Sequence, residues 1–240
     1  MAAPAEQQLT DNSPTNEVIK LGEFSAAFAR VYRVPRYIDG VPENDVEHSY
    51  SLGLVARDLA DRFYPDLNLD LVVSFCMIHD APERYANDTP TLGISEYDRA
   101  RKEADEAVAT QRLLLEFPES HADVLERYEK QEEPETKFVR LVDKLMPLIM
   151  NIVGDGRRSL GWYGIKTYDQ LQAMENEARV RLNRQFPEFP EIISLHEELT
   201  QRRHEVIFNS EGELYISRLE RVRGTLSDTL MRVARVVAPK

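Results

Sequence analysis

The stretch Leu69-Asp70-Leu71-Val72-Val73-Ser74-Phe75-Cys76-Met77-Ile78-His79-Asp80-Ala81-Pro82-Glu83 joins a nearly continuous apolar run to an abrupt polar end. Such a run fits a buried helix or a buried strand, and its neighbours decide between them. On one side, Val46 to Phe63 carries Leu52, Val55, Leu59 and Phe63 at steps of three and four, a helical period. On the other, Ser95 to Phe117 is a long charged amphipathic stretch with Ser95 placed to cap it. The central run is therefore read as a buried helix among helices. Further helices are expected over Glu17 to Val31, His121 to Lys130, Glu135 to Ile152, Thr167 to Gln185 and Pro190 to His204. A basic amphipathic helix is expected from Arg218 to Val236. Gly154 to Gly164 reads as a loop, and Asn209 to Ile216 as a small β-hairpin. The predicted fold class is all-α: a helical bundle over 17–153, a disordered leader at 1–16, and an extension over 154–240 packed on the same core.

Composition bounds the function. At 240 residues, 42% hydrophobic and 30% charged, the chain suits one globular core. No apolar run approaches the roughly 20 residues of a transmembrane helix. The leader lacks the basic start and apolar stretch of a signal peptide. Cys76 is the single cysteine, which excludes an intramolecular disulfide and a cysteine-rich zinc site, so a cytoplasmic protein is expected. A formal charge of −12 argues against wrapping long nucleic acid. It leaves room for a small phosphorylated ligand, because a bound cation reverses the local field.

Chemistry concentrates where apolar periodicity carries ligand-type residues inward. His79 and Asp80 follow the most apolar segment directly, and a buried carboxylate needs a cation or donors. His48 shares a helix face with Leu52, Val55 and Leu59. Asp143 lies among Val139, Val142 and Met146. Each has an ordinary alternative: a helix-end His-Asp pair, a core histidine bonded to backbone, an aspartate paired with Lys137, Arg140 or Lys144. Cys76 reads as core, and His121, His196 and His204, in charged surroundings, as exposed.

Taken together, His48, His79-Asp80 and Asp143 on three helices, with Glu83 three residues after Asp80 and then Asp88-Thr89-Pro90-Thr91, resemble the HD-domain phosphohydrolase superfamily. The resemblance spans about residues 20 to 153. It is nearest to the 5′-deoxynucleotidases, which pair an Arg ahead of an Glu-His-Ser motif (here Arg33 and Glu47-His48-Ser49) with His-Asp-x-x-Glu and Asp-x-Pro-Thr motifs. It implies an all-α bundle, commonly a homodimer. The implied metal ligands are His48, His79, Asp80 and Asp143, holding a divalent ion such as Mn²⁺, Co²⁺ or Mg²⁺, with Zn²⁺ as the alternative. Glu83 and Asp88 would be catalytic, while Arg33, Thr89 and Thr91 would bind a small nucleotide substrate. One position departs from the pattern: Val34 stands where the family has an aromatic, typically Trp, so the resemblance carries no preference for deoxyribose.

Overall fold

The computed structural model describes residues 13–90, 92–209 and 212–214. The central apolar run is a helix, α3 (Leu69–Ile78), with Val72, Phe75, Cys76 and Ile78 buried. Asn68 caps it by accepting from the Asp70 and Leu71 amides. It packs chiefly against α2 (Asp45–Phe63), and also against α6 (Glu119–Lys130) and α7 (Pro134–Asp143). Leu52, Phe75, Leu125, Phe138 and Leu141 are fully buried where these helices meet. Ahead of them runs α1 (Pro14–Phe28). Between α3 and α6 come the single turn α4 (Glu83–Ala86) and the long α5 (Glu96–Glu116), capped by Ser95 as expected.

Three local differences from the sequence reading have physical causes. Residues 14–16, placed in the leader, begin α1, because the Ser13 hydroxyl accepts from the Asn16 amide and Pro14 stands where no amide donor is needed. The stretch from Glu135 to Ile152 is two helices, α7 and α8 (Met146–Val153), broken at Lys144-Leu145. Pro147 lies in the first turn of α8, where its missing N–H costs nothing; inside one continuous helix it would break a hydrogen bond. The chain also forms a two-stranded antiparallel ribbon, β1 (Tyr32–Arg36) and β2 (Pro42–Asn44), with Tyr32 opposite Asn44 and Arg36 opposite Pro42. Pro35 and two arginines hide this strand from a periodicity reading.

The stretch read as a loop contains a short helix, α9 (Gly156–Trp162), capped by Asp155. Its glycines serve close packing. The Asp155 amide donates to the Arg36 carbonyl at 2.8 Å, tying α9 to β1. A Cβ on Gly154 would lie 2.0 Å from that same carbonyl oxygen, and one on Gly156 would lie 2.3 Å from the Asn151 carbonyl oxygen. Two helices follow, α10 (Tyr168–Gln185) and α11 (Pro190–Ile207). Leu182, Phe186, Phe189, Ile192 and Ile193 join the central core, while Leu160, Ile165, Leu171 and Ile207 form a second, smaller cluster. At the expected hairpin, Phe208 and Leu214 make one antiparallel bridge, with Glu213 bridging back to Thr167. Tyr215-Ile216 and the expected helix from Arg218 to Val236 lie outside the described residues. No helix among the described residues is long and apolar enough to cross a membrane.

Candidate metal centre

Three helix ends bring the ligand-type residues together. α2 begins with a capping box: Asn44 Oδ1 accepts from the Val46 and Glu47 amides, and Glu47 accepts from the Asn44 amide. That fixes the first turn, which carries His48 into the interior on the face of Leu52, Ala56 and Leu59. The end of α3 turns over at once. His79 caps it, the Ala81 amide bonds the Ile78 carbonyl, and the Glu83 amide bonds the Asp80 carbonyl. His79, Asp80 and Glu83 are thus offered from successive turns. Asp143 is the last residue of α7, at the break that Pro147 enforces.

His48 Nε2 lies 3.2 Å from His79 Nε2 and 3.1 Å from Asp143 Oδ1. Asp80 Oδ2 lies 3.0 Å from His79 Nε2 and 3.6 Å from His48 Nε2. His79 Nδ1 donates to the Cys76 carbonyl at 2.9 Å, which leaves the Nε2 lone pair facing the others. His48 Nδ1 is buried without a hydrogen bond and faces Glu43 Oε2 at 3.7 Å. A carboxylate behind the non-ligating nitrogen is the usual support of a metal-bound imidazole. Two imidazoles and two carboxylates converging in a buried space form a donor set with negative charge to balance, and it fits a divalent cation. The ligand atoms of His48, His79 and Asp143 all lie within 4.8 Å of one another. The alternative partner of Asp143 is present too: Lys144 Nζ donates to Asp143 Oδ2 at 2.6 Å, while Oδ1 faces the histidines.

The electrostatics reflect this crowding. Burial and the Arg33 cation disfavour a charged His48, but the hydrogen bond to Asp143 and the nearby Glu43 carboxylate outweigh them and raise its pKa to about 9. Burial opposes the charge on Asp80 and Asp143. The His79 and Arg33 charges hold Asp80 below the usual carboxylate range, and Lys144 with the two histidines does the same for Asp143. Glu83 goes the other way: burial, then the Asp80 and Asp88 charges, push it well up. It accepts from Lys102 Nζ at 3.1 Å.

Of the three arginines near β1, Arg30 is exposed and Arg36 is buried, bonding the Gly40 carbonyl. Arg33 borders the centre: its Nη1 donates to Asp80 Oδ2 at 2.6 Å and to Asp45 Oδ1 at 3.1 Å. Asp88 and Thr89 are half-buried in the loop after α4, and Asp88 acts electrostatically on Arg33, Asp45 and Glu83. Thr91 lies outside the described residues. Val34 is buried.

Several residues at the site escaped the sequence reading. Glu43 and Asp45 are nearly or fully buried, and burial pushes the Asp45 carboxyl up to about 7. The acidic density of Glu43-Asn44-Asp45-Val46-Glu47 was their only signal. The Tyr128 ring meets His79 edge-on at 6.2 Å. Tyr163, just past the end of α9, packs against the smaller cluster, as Leu92 does, and its hydroxyl is near enough to Asp88 and Arg33 to feel both charges. Two histidines read as exposed are not. His196 is buried on α11, and His204 Nε2 bonds Glu175 at 2.9 Å beside the Arg203–Glu175 ion pair.

Comparison with known proteins gives the class. The chain belongs to the HD domain family, whose model matches residues 30–185. Membership supports metal-dependent phosphohydrolase chemistry at the level of class. Among solved structures, a predicted metal-dependent phosphohydrolase from Magnetospirillum magnetotacticum aligns at 21% identity and TM-score 0.55, covering 78% of this chain and 96% of the other. The PH0347 protein from Pyrococcus horikoshii aligns at 22% identity and TM-score 0.50, covering 74% and 98%. An HD-domain phosphohydrolase from Listeria innocua aligns at 16% identity and TM-score 0.48, covering 77% and 99%. For the first two the likeness is one of fold. No curated protein matches the chain.

Proposed function

We propose that this protein is a metal-dependent phosphomonoesterase that releases phosphate from nucleoside or deoxynucleoside 5′-monophosphates. The observation that carries the reading is a buried carboxyl, Glu83, set 3.7 Å from the Arg33 guanidinium beside the histidine–aspartate centre. His48, His79, Asp80 and Asp143 are the residues that would hold the ion. When bound, the ion lowers the pKa of a coordinated water and offsets phosphoryl charge. The chain's own groups do the rest. Arg33 is anchored through Nη1 by Asp45 and Asp80 with Nε buried toward Glu43, so Nη2 is the group that would meet a phosphoryl oxygen. Burial and the Asp80 and Asp88 charges raise the proton affinity of Glu83, which would protonate the leaving 5′-oxygen as a water oxygen bonds to phosphorus and the P–O5′ bond breaks. Lys102 holds that carboxyl in place.

The test is inorganic phosphate release from a panel of ribo- and deoxynucleoside monophosphates, triphosphates, cyclic nucleotides and tetraphosphates, with Mn²⁺, Co²⁺, Mg²⁺ or Zn²⁺. The expected result is phosphate from monophosphates, abolished by a chelator and reduced about 10²–10⁴-fold in Glu83→Gln, the usual range for a lost general acid. Turnover unaffected by a chelator would sink the reading. Release of pyrophosphate or triphosphate in place of phosphate would move the activity to another bond.

A further inference from the structure

Beside the histidine-containing set lies a second group of ligand-type atoms, from Asp45, Asp80 and Glu83, also within 4.8 Å of one another. Asp80 belongs to both neighbourhoods, since its Oδ2 is 3.0 Å from His79 Nε2 and the residue also groups with Asp45 and Glu83. The second set is deeply enclosed: Asp45 is fully buried and Glu83 almost so. Asp45 Oδ2, Glu83 Oε2 and the neighbouring Glu43 Oε1 are all buried without a hydrogen bond. Carboxyl groups buried this close repel one another when ionised, and a neighbouring cation or a retained proton relieves that repulsion.

The structure shows which cation is there. Arg33 Nη1 sits among the three, 3.1 Å from Asp45 Oδ1, 2.6 Å from Asp80 Oδ2 and 3.7 Å from Glu83 Oε2, with Nε 3.9 Å from Glu43 Oε2. A divalent first-row ion draws carboxylate oxygens to about 2.0–2.2 Å. The space it would use is filled by a nitrogen at hydrogen-bonding distance.

We propose that Arg33 occupies a second cation position framed by Asp45, Asp80 and Glu83, so that the chain holds one divalent ion where its carboxylates are arrayed for two. Asp80 is then shared between the ion and the guanidinium. A side-chain cation cannot dissociate as an ion can, so the charge balance of this half of the site is independent of metal supply. The inference rests on reading His48, His79 and Asp143 as the resident metal centre, and it is independent of the substrate.

The experiment is equilibrium dialysis of the full chain against Mn²⁺ with elemental analysis, no substrate present. Expected are one ion per chain for the wild type, two for Arg33→Met, and one again for Arg33→Met combined with Asp45→Asn. Asp45→Asn alone, with Arg33 intact, should stay at one. Two ions in the wild type, or one ion in folded Arg33→Met, overturns the inference. If Arg33→Met does not fold, Asp45→Asn decides: loss of the single ion would make Asp45 a ligand of the resident metal and overturn it as well. A wild type that binds no ion removes the first centre, and the inference falls with it. That outcome is distinct from a failed nucleotide assay, because no turnover is measured.

Discussion

His48 and His79 meet through their Nε2 atoms because each ring turns its other nitrogen elsewhere, His79 onto the Cys76 carbonyl and His48 toward Glu43. Asp143 divides its oxygens in the same way, one to the histidines and one to Lys144. At this scale a side chain's role is set by what holds its far edge. Tyr163 is the residue whose consequence is easiest to measure. Its ring and Leu92, in the loop that continues from Asp88, both pack on the smaller core cluster, and its hydroxyl feels both Asp88 and Arg33. If the proposed phosphomonoesterase activity holds, Tyr163 is placed to border the part of the site that receives the group esterified to the phosphate. Tyr163→Ala should raise KM for a nucleoside monophosphate about tenfold, the scale of one lost base–aromatic contact of roughly 1–3 kcal/mol. KM for glycerol phosphate should hardly change, and Tyr163→Phe should keep most of the wild-type value. Equal effects on both substrates would remove Tyr163 from the specificity of the site.

At the scale of elements, the site is an assembly of ends. α2 supplies His48 from its first turn, α3 and the turn after it supply His79, Asp80 and Glu83, and α7 supplies Asp143 from its last residue. Helix ends suit this work because their backbone groups are partly free and the chain changes direction there. The capping box on α2 then matters beyond helix stability. Asn44→Ala removes the acceptor of the Val46 and Glu47 amides and should cost about 1 kcal/mol, read from urea denaturation. Because His48 sits one turn further on, Mn²⁺ affinity should weaken in the same variant. Asn44→Asp, which preserves the cap, should restore both. A variant with lower stability and unchanged Mn²⁺ affinity would show that the first turn does not position His48.

The whole molecule carries a pH dependence apart from the site. His196 is buried on α11, and burial lowers its pKa from 6.5 to about 4. The folded state therefore refuses a proton that the unfolded chain accepts below about pH 6.5. The contribution is fully present above the unfolded pKa and is lost as pH falls from about 6.5 toward 4. The urea midpoint should drop between pH 7 and pH 5, and less steeply in His196→Leu. A variant whose slope matches the wild type would assign the acid sensitivity to other groups.

The sequence by itself determined the helical class and the identity of His48, His79, Asp80 and Asp143, which the fold brings together. Both are local facts. Apolar steps of three and four around Leu52 and Leu59 make a helix and choose its inner face, so His48 on that face had to point inward. A run as apolar as Leu71 to Ile78 had to bury one face, that of Val72, Phe75, Cys76 and Ile78, which put His79 and Asp80 at the edge of the core. Tertiary structure alone decided the rest, because the remaining features depend on pairings between segments far apart in sequence. Nothing local to Asp45 says that Arg33 will lie 3.1 Å away, or that Asp80 will share the same guanidinium. Nothing local to Gly154 says that the Arg36 carbonyl comes close enough to exclude a side chain. His196 and His204 sit among charges in sequence, yet α11 packs His196 inward and gives His204 to Glu175 on α10. Periodicity reports which face of one helix is apolar, whereas the charge a buried group meets is set by its neighbours across the core.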